Sequence, residues 1–234
     1  MTLDTRPRWG LGAFWAAWFA GLVAAVVGTA FALGILGSDV ADDDPRLLLV
    51  SLLAQAIGIV TAVWVISRTR GQRSLGADFG LELRWRDWHW LLIGVALQIG
   101  AAILLAPLSI LGPDQAQGVV EGFEDASGTA TVVVFAFAVV VLAPVAEELL
   151  FRGVLLRALL RRTSAGAAVL WSAGIFACIH VLLDPSLGSA QALPALFLLG
   201  IVSADQAVRT RALSRSILLH AGFNLLTAVR IVTL

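Results

Sequence analysis

Seven long apolar runs, at about residues 9–37, 47–67, 88–112, 130–151, 165–183, 192–208 and 214–232, dominate a chain of 234 residues. Each is near the roughly 20 residues that an α-helix needs to cross a bilayer. Strands of a membrane barrel are about half that length, and irregular backbone facing lipid would leave its polar groups unpaired. The pattern predicts an all-α, polytopic membrane helix bundle of about seven transmembrane helices. With 59% apolar residues and only 14% charged, little chain remains for an extramembrane domain, so residues 1–234 read as one membrane domain. Sixteen basic and sixteen acidic residues cancel, which gives no electrostatic reason to expect a nucleic-acid partner. The bilayer is the expected partner, and the oligomeric state is not encoded in any visible pattern.

The first run follows Arg6 and Arg8, as a signal peptide would, but it is about twice the length of a signal-peptide core and is read as an uncleaved anchor helix. Ala16, Ala20, Ala24, Gly28 and Ala32 form a stripe of small residues on it, suited to close packing against a neighbouring helix. All sixteen basic residues are arginines, and thirteen of them flank alternate connections: Arg6 and Arg8; Arg68, Arg70, Arg73, Arg84 and Arg86; Arg157, Arg161 and Arg162; Arg209, Arg211 and Arg215, with Arg46 and, near the outer end of the last span, Arg230 as exceptions. The positive-inside rule makes these connections cytoplasmic. The acids Asp39, Asp42, Asp43, Asp44, Asp114, Glu121, Glu124, Asp125 and Asp184 fall on the other side. An amino terminus in the cytoplasm and a carboxyl terminus outside are therefore expected, in the plasma membrane of a prokaryote. Trp85, Trp88 and Trp90 read as an interfacial belt that includes His89. The lone cysteine, Cys178, permits no internal disulfide.

Acids and imidazoles inside apolar runs are costly and mark functional positions. The fourth run holds Glu147 and Glu148, with Arg152 one turn after Glu148 in the favourable order for an ion pair. Glu147 points about 100° away, free to face a polar cavity, and Pro144 can open the helix backbone beside it. The fifth run carries Phe176 and His180. The seventh carries His220 and Asn224, one turn apart on a single face, with Gly222 between them leaving room for a backbone or a substrate. Six such groups on three spans point to a shared site rather than to scattered interhelical glue.

These motifs resemble the CPBP family of intramembrane proteases, the CAAX prenyl protease-like, bacteriocin-processing or Abi-type proteins. The resemblance covers roughly residues 140–226: Glu147-Glu148 and Arg152, Phe176 with His180, and His220 with Asn224 after Ser216-Ile217, within spans at 130–232. The first three spans add nothing to it. Asp205-Gln206 and Arg209-Thr210-Arg211 depart from the small residues and the Thr-Gly-Ser turn often found in the family. The resemblance implies a membrane-embedded endopeptidase acting on membrane-associated proteins or peptides, in one branch prenylated CAAX proteins. It assigns a hydrolytic water to Glu147 with His180 and the oxyanion to His220 and Asn224, with Glu148 and Arg152 completing the catalytic set and Phe176 shaping the substrate pocket. Glu147, His180 and His220 are also ligand types of zinc sites, so Zn²⁺ is the one cofactor the residues bring to mind, although they lack the compact spacing of a two-histidine zinc helix. Other readings of the same residues are a serine peptidase built on Ser216, a cysteine peptidase built on Cys178, a proton-coupled transporter, and a non-catalytic immunity or scaffold protein.

Overall fold

A computed structural model describes residues 9–37, 44–107, 129–183 and 187–233 of the chain. Every element among them is helical. They are α1 (Leu11–Leu36), α2 (Pro45–Arg70), the short α3 (Leu75–Phe79), α4 (His89–Leu105) entered through a 3₁₀ turn at Trp85–Asp87, α5 (residues 129–159), α6 (Ala165–Leu183), α7 (Leu187–Thr210) and α8 (Ser214–Thr233). Six of these, from α1 to α7 without α3, are long and apolar enough to cross a membrane. The seventh expected span, α8, forms a helix of 20 residues but is not among the six. Arg215, His220, Asn224 and Arg230 lower its apolar content. The acids Asp39, Asp42, Asp43, Asp114, Glu121, Glu124, Asp125 and Asp184, and Arg6 and Arg8, lie outside the described residues.

The bundle is apolar on the outside as well as within, as lipid as solvent requires. Phe31 is 71% exposed and Val26 69%, both on α1. The centre is α5, whose residues Leu149–Leu156 are all buried, Arg152 included. Around it lie α1, α2, α6, α7 and α8. The small-residue stripe on α1 meets α2 only in part. Ala24 faces Gly58, and Gly28 faces Ala54, whereas Ala16 is exposed. A four-residue repeat drifts by about 40° per step around a helix of 3.6 residues per turn, so the stripe leaves the interface at its start. There Ala13, Phe14 and Ala17 are buried instead.

Helix α5 is not uniform. Two π-helical stretches, Ala138–Leu142 and Leu149–Leu156, flank the α-helical Ala143–Glu148. Pro144 accounts for one consequence. In the first stretch Ala143 N–H bonds to Ala138 C=O, five residues back, and the next bond in that pattern would join residue 144 to Val139. Proline has no N–H. The Val139 carbonyl is taken instead by Asn224 Nδ2 from α8, at 3.0 Å.

Helices α4 and α8 run parallel, in contact along their length. Arg84 N–H donates to Ser214 Oγ at 2.9 Å, Asp87 pairs with Arg215 at 3.1 Å, and farther along Gln98 Nε2 donates to Thr227 Oγ1 at 2.7 Å. Between these contacts the backbones touch. A Cβ on Gly94 would collide with the Leu219 carbonyl oxygen, and one on Gly222 with that of Leu91. The room left by Gly222 is thus filled by the backbone of α4. Because backbone cannot step aside as a flexible side chain can, Gly222→Ala is expected to cost about 3 kcal/mol, the upper end of the overpacking range, and to lower the melting temperature in detergent accordingly.

One end of the bundle gathers the arginine-rich connections. Gly80 closes α3 in the left-handed conformation (φ 77°), and its carbonyl accepts from Leu213 N–H at 2.8 Å. Arg157 donates to the Arg211 carbonyl at 3.0 Å. The turn from α7 to α8, where the sequence departs from the family pattern, is made by Arg211 in the left-handed region (φ 56°) and by Thr210, whose hydroxyl donates to Gln206 O and accepts from Ala212 N–H. Trp85 and Trp88 at this end are exposed, and His89 beside them is exposed with Nδ1 near the Arg86 carbonyl.

Candidate active site

Glu147 and Glu148 sit at the end of the α-helical segment of α5, where the second π stretch begins. As their spacing predicts, Glu148 and Arg152 form an ion pair, Nη1 to Oε1 at 3.1 Å, with both side chains fully buried. The same Glu148 oxygen accepts a hydrogen bond from His220 Nδ1 at 3.0 Å. Arg152 also reaches the Gly200 carbonyl at 3.4 Å and lies over the Phe176 ring, 4.6 Å from its centroid. A buried guanidinium is thus set between a carboxylate, a carbonyl and an aromatic face, which together offset its desolvation.

Glu147 points elsewhere. Its Oε2 stands 3.5 Å from His180 Nε2 and 3.7 Å from His220 Nε2. Phe176 joins the two histidines. Its carbonyl receives His180 Nδ1–H at 2.7 Å, and its ring packs against both imidazoles, with centroids at 4.4 and 5.6 Å. The bond to a carbonyl, which can only accept, fixes the tautomer of His180, and a carboxylate paired with Arg152 does the same for His220. Rings so held turn their Nε2 atoms to Glu147. Its Oε2 is buried and makes no hydrogen bond of its own. Glu147 Oε2 and the two Nε2 atoms thus converge.

Zinc is the natural question for a carboxylate and two imidazoles, and the second bond of each histidine is of the kind that orients metal ligands. Among the described residues, however, no group of three or more His, Cys, Asp or Glu side chains is gathered so as to hold a metal ion.

Asn224, one turn beyond His220, gives one amide hydrogen to Val139 and keeps a second. The structure thus brings Glu147, Glu148, Arg152, Phe176, His180 and His220 into one contact network and ties Asn224 to the π stretch of the same α5. Ser216 is directed away: its hydroxyl donates to the Ser203 carbonyl at 2.8 Å, and the residue is buried. Cys178 is exposed, while Glu148 and His220 of the site are buried. The sequence reading did not single out Gln98 and Thr227, which flank this site on the side of α4. Gln98 is a polar residue in the middle of the third apolar run, and that was the available signal.

Among curated proteins and among solved structures, none matches the chain. Residues 129–226 match a family model, the type II CAAX prenyl endopeptidase Rce1-like. That stretch holds Glu147, Glu148, Arg152, Phe176, His180, His220 and Asn224, the residues on which the motif resemblance rests, and the match is consistent with the CPBP family.

Proposed function

We propose that the protein is an intramembrane endopeptidase that hydrolyses peptide bonds of membrane-associated proteins or peptides with a water activated by Glu147 and His180. The observation that carries this reading is the convergence of Glu147 Oε2 with two histidine Nε2 atoms, each histidine oriented by a hydrogen bond on its other nitrogen. A water molecule between them has one O–H to give to Glu147 Oε2 and one to His180 Nε2. Glu147 takes a proton as the water oxygen bonds to the scissile carbonyl carbon, and His180 holds the water in line. Negative charge then develops on the carbonyl oxygen. The second amide hydrogen of Asn224 and Nε2–H of His220 are the donors for it, and His220 serves in this way when it carries hydrogens on both nitrogens, Nδ1 being directed at Glu148. When the carbon–nitrogen bond breaks, the proton on Glu147 passes to the leaving amine. Glu148 and Arg152 hold His220 in place, and Phe176 holds His180.

Burial of this site in a helix bundle suits a substrate that is itself apolar near the cut, and the family match makes prenylated CAAX proteins one candidate class. The arginine-rich end is the cytoplasmic one in this reading, and the whole chain acts as one membrane domain. Labelling of single cysteines placed at Arg70 and Thr163 in a Cys178→Ser background is expected to be blocked only by a cytoplasmic quencher. Labelling from outside would reverse the orientation.

Purified protein in lipid nanodiscs tests the activity itself. With a library of quenched fluorescent apolar peptides, prenylated and not, cleavage is expected to survive chelation and to proceed without stoichiometric zinc. Activity lost to a chelator and restored by zinc would contradict the metal-free route, and resistance of every peptide would count against proteolysis. A transporter or scaffold would leave the peptides intact.

A further inference from the structure

Helix α8 carries His220 and Asn224 and packs against both α5 and α4. Past Asn224 an apolar groove of about 320 Å³, open to the outside of the bundle, runs between α5 and α8, lined by side chains that include Phe137, Val140 and Val141 of α5 and Leu225, Ala228 and Val229 of α8. The bond from Asn224 to the Val139 carbonyl bridges them at its edge. On the opposite side α8 is held by α4. The backbones meet at Gly94 and Gly222, and one turn farther on Gln98 Nε2 donates to Thr227 Oγ1 at 2.7 Å. Thr227 lies three residues after Asn224, on the adjoining part of the same helix face. The turn bearing Asn224 is thus strung between two hydrogen bonds, one to each neighbour, beside the open groove. Gln98 and Thr227 both lie outside the family match at residues 129–226.

We propose that Gln98 and Thr227 are a positioning pair for the hydrolysis, acting through Asn224. Their hydrogen bond sets the rotation of α8 about the glycine crossing and so the direction of the Asn224 amide toward the developing oxyanion. Neither residue touches substrate. Removing the bond frees this turn of α8 to rotate beside the groove, which misplaces Asn224 and leaves Glu147 and His180, on α5 and α6, where they are. The expected loss therefore falls on the chemical step rather than on substrate binding.

The inference rests on the proteolytic reading, and the experiment separates the two. Steady-state cleavage is measured in nanodiscs for wild type, Gln98→Ala, Thr227→Val, Thr227→Ser and Asn224→Ala, and for Gln98→Ala combined with Asn224→Ala, with thermal melting of each. Gln98→Ala and Thr227→Val are each expected to lower kcat by about tenfold to a hundredfold, as displaced catalytic geometry does, with KM nearly unchanged. Thr227→Ser, which keeps the acceptor oxygen, is expected to restore most of kcat. In the Asn224→Ala background Gln98→Ala is expected to cost less than about twofold more, because the group it positions is already gone. A merely structural role would lower kcat by the same factor in both backgrounds and follow the melting temperature; that result, or an unchanged kcat in Gln98→Ala, would overturn the proposal. A folded wild type that cleaves nothing, or a Glu147→Gln variant as active as wild type, would overturn the proteolytic reading and the positioning role with it.

Discussion

Glu147→Gln is expected to lower the cleavage rate by about 10²–10⁴-fold while leaving the fold intact, the range for removing a general base from a positioned site. Gln keeps the size and shape of Glu and still offers a carbonyl oxygen near His180 and His220, but an amide does not take up the proton of an attacking water. Glu147 is the right place for so clean a loss because it takes no part in the Arg152 pair. Its oxygen meets only the two histidines, at 3.5 and 3.7 Å. The melting temperature of the variant should stay within a few degrees of wild type, and a rate loss accompanied by unfolding would mean that Glu147 is structural instead.

Arg152→Ala should behave in the opposite way, as a failure of stability first. It leaves Glu148 as a carboxylate with no exposed surface, and breaking a buried pair from one side costs as much as about 3–5 kcal/mol. The Phe176 ring loses its cation as well, and the two histidines that pack on that ring lose a wall. Expression and melting temperature in detergent should both fall sharply. The double variant Glu148→Gln with Arg152→Met, which removes both charges and retains volume, should recover stability and not activity, since His220 Nδ1 would then face an amide in place of a carboxylate. Equal stability of Arg152→Ala and wild type would contradict the pairing.

Much of this site was legible in the sequence because charge inside an apolar run is rare and its helical spacing is informative. The Glu148–Arg152 pair and the separate direction of Glu147 follow from residues four and one apart on a helix, and both appear in the structure. What spacing on one helix does not carry is contact between helices. Nothing within the seventh run indicates that His220 reaches Glu148, or that Asn224 bonds a carbonyl of α5. The latter does have a local cause. Pro144 lacks the N–H that the π pattern would direct at Val139, so the effect of that proline is a free carbonyl rather than only a bend. The span count was harder to read at α8, whose polar residues serve the site and its contact with α4 at the expense of apolar character. Gln98 went unnoticed since a single amide in a span is commonly interhelical glue, and its neighbour Thr227 is seen only once α4 and α8 are known to run side by side.

The central claim is that this constellation cuts peptide bonds in the membrane, and the peptide termini in membrane fractions test it most directly. Cells expressing wild type and cells expressing Glu147→Gln to the same level would be compared by quantitative terminal proteomics. The account predicts new termini, in or beside apolar segments of membrane-associated proteins, that occur with wild type and vanish with Glu147→Gln. Identical sets of termini from two equally folded, equally abundant proteins would contradict it.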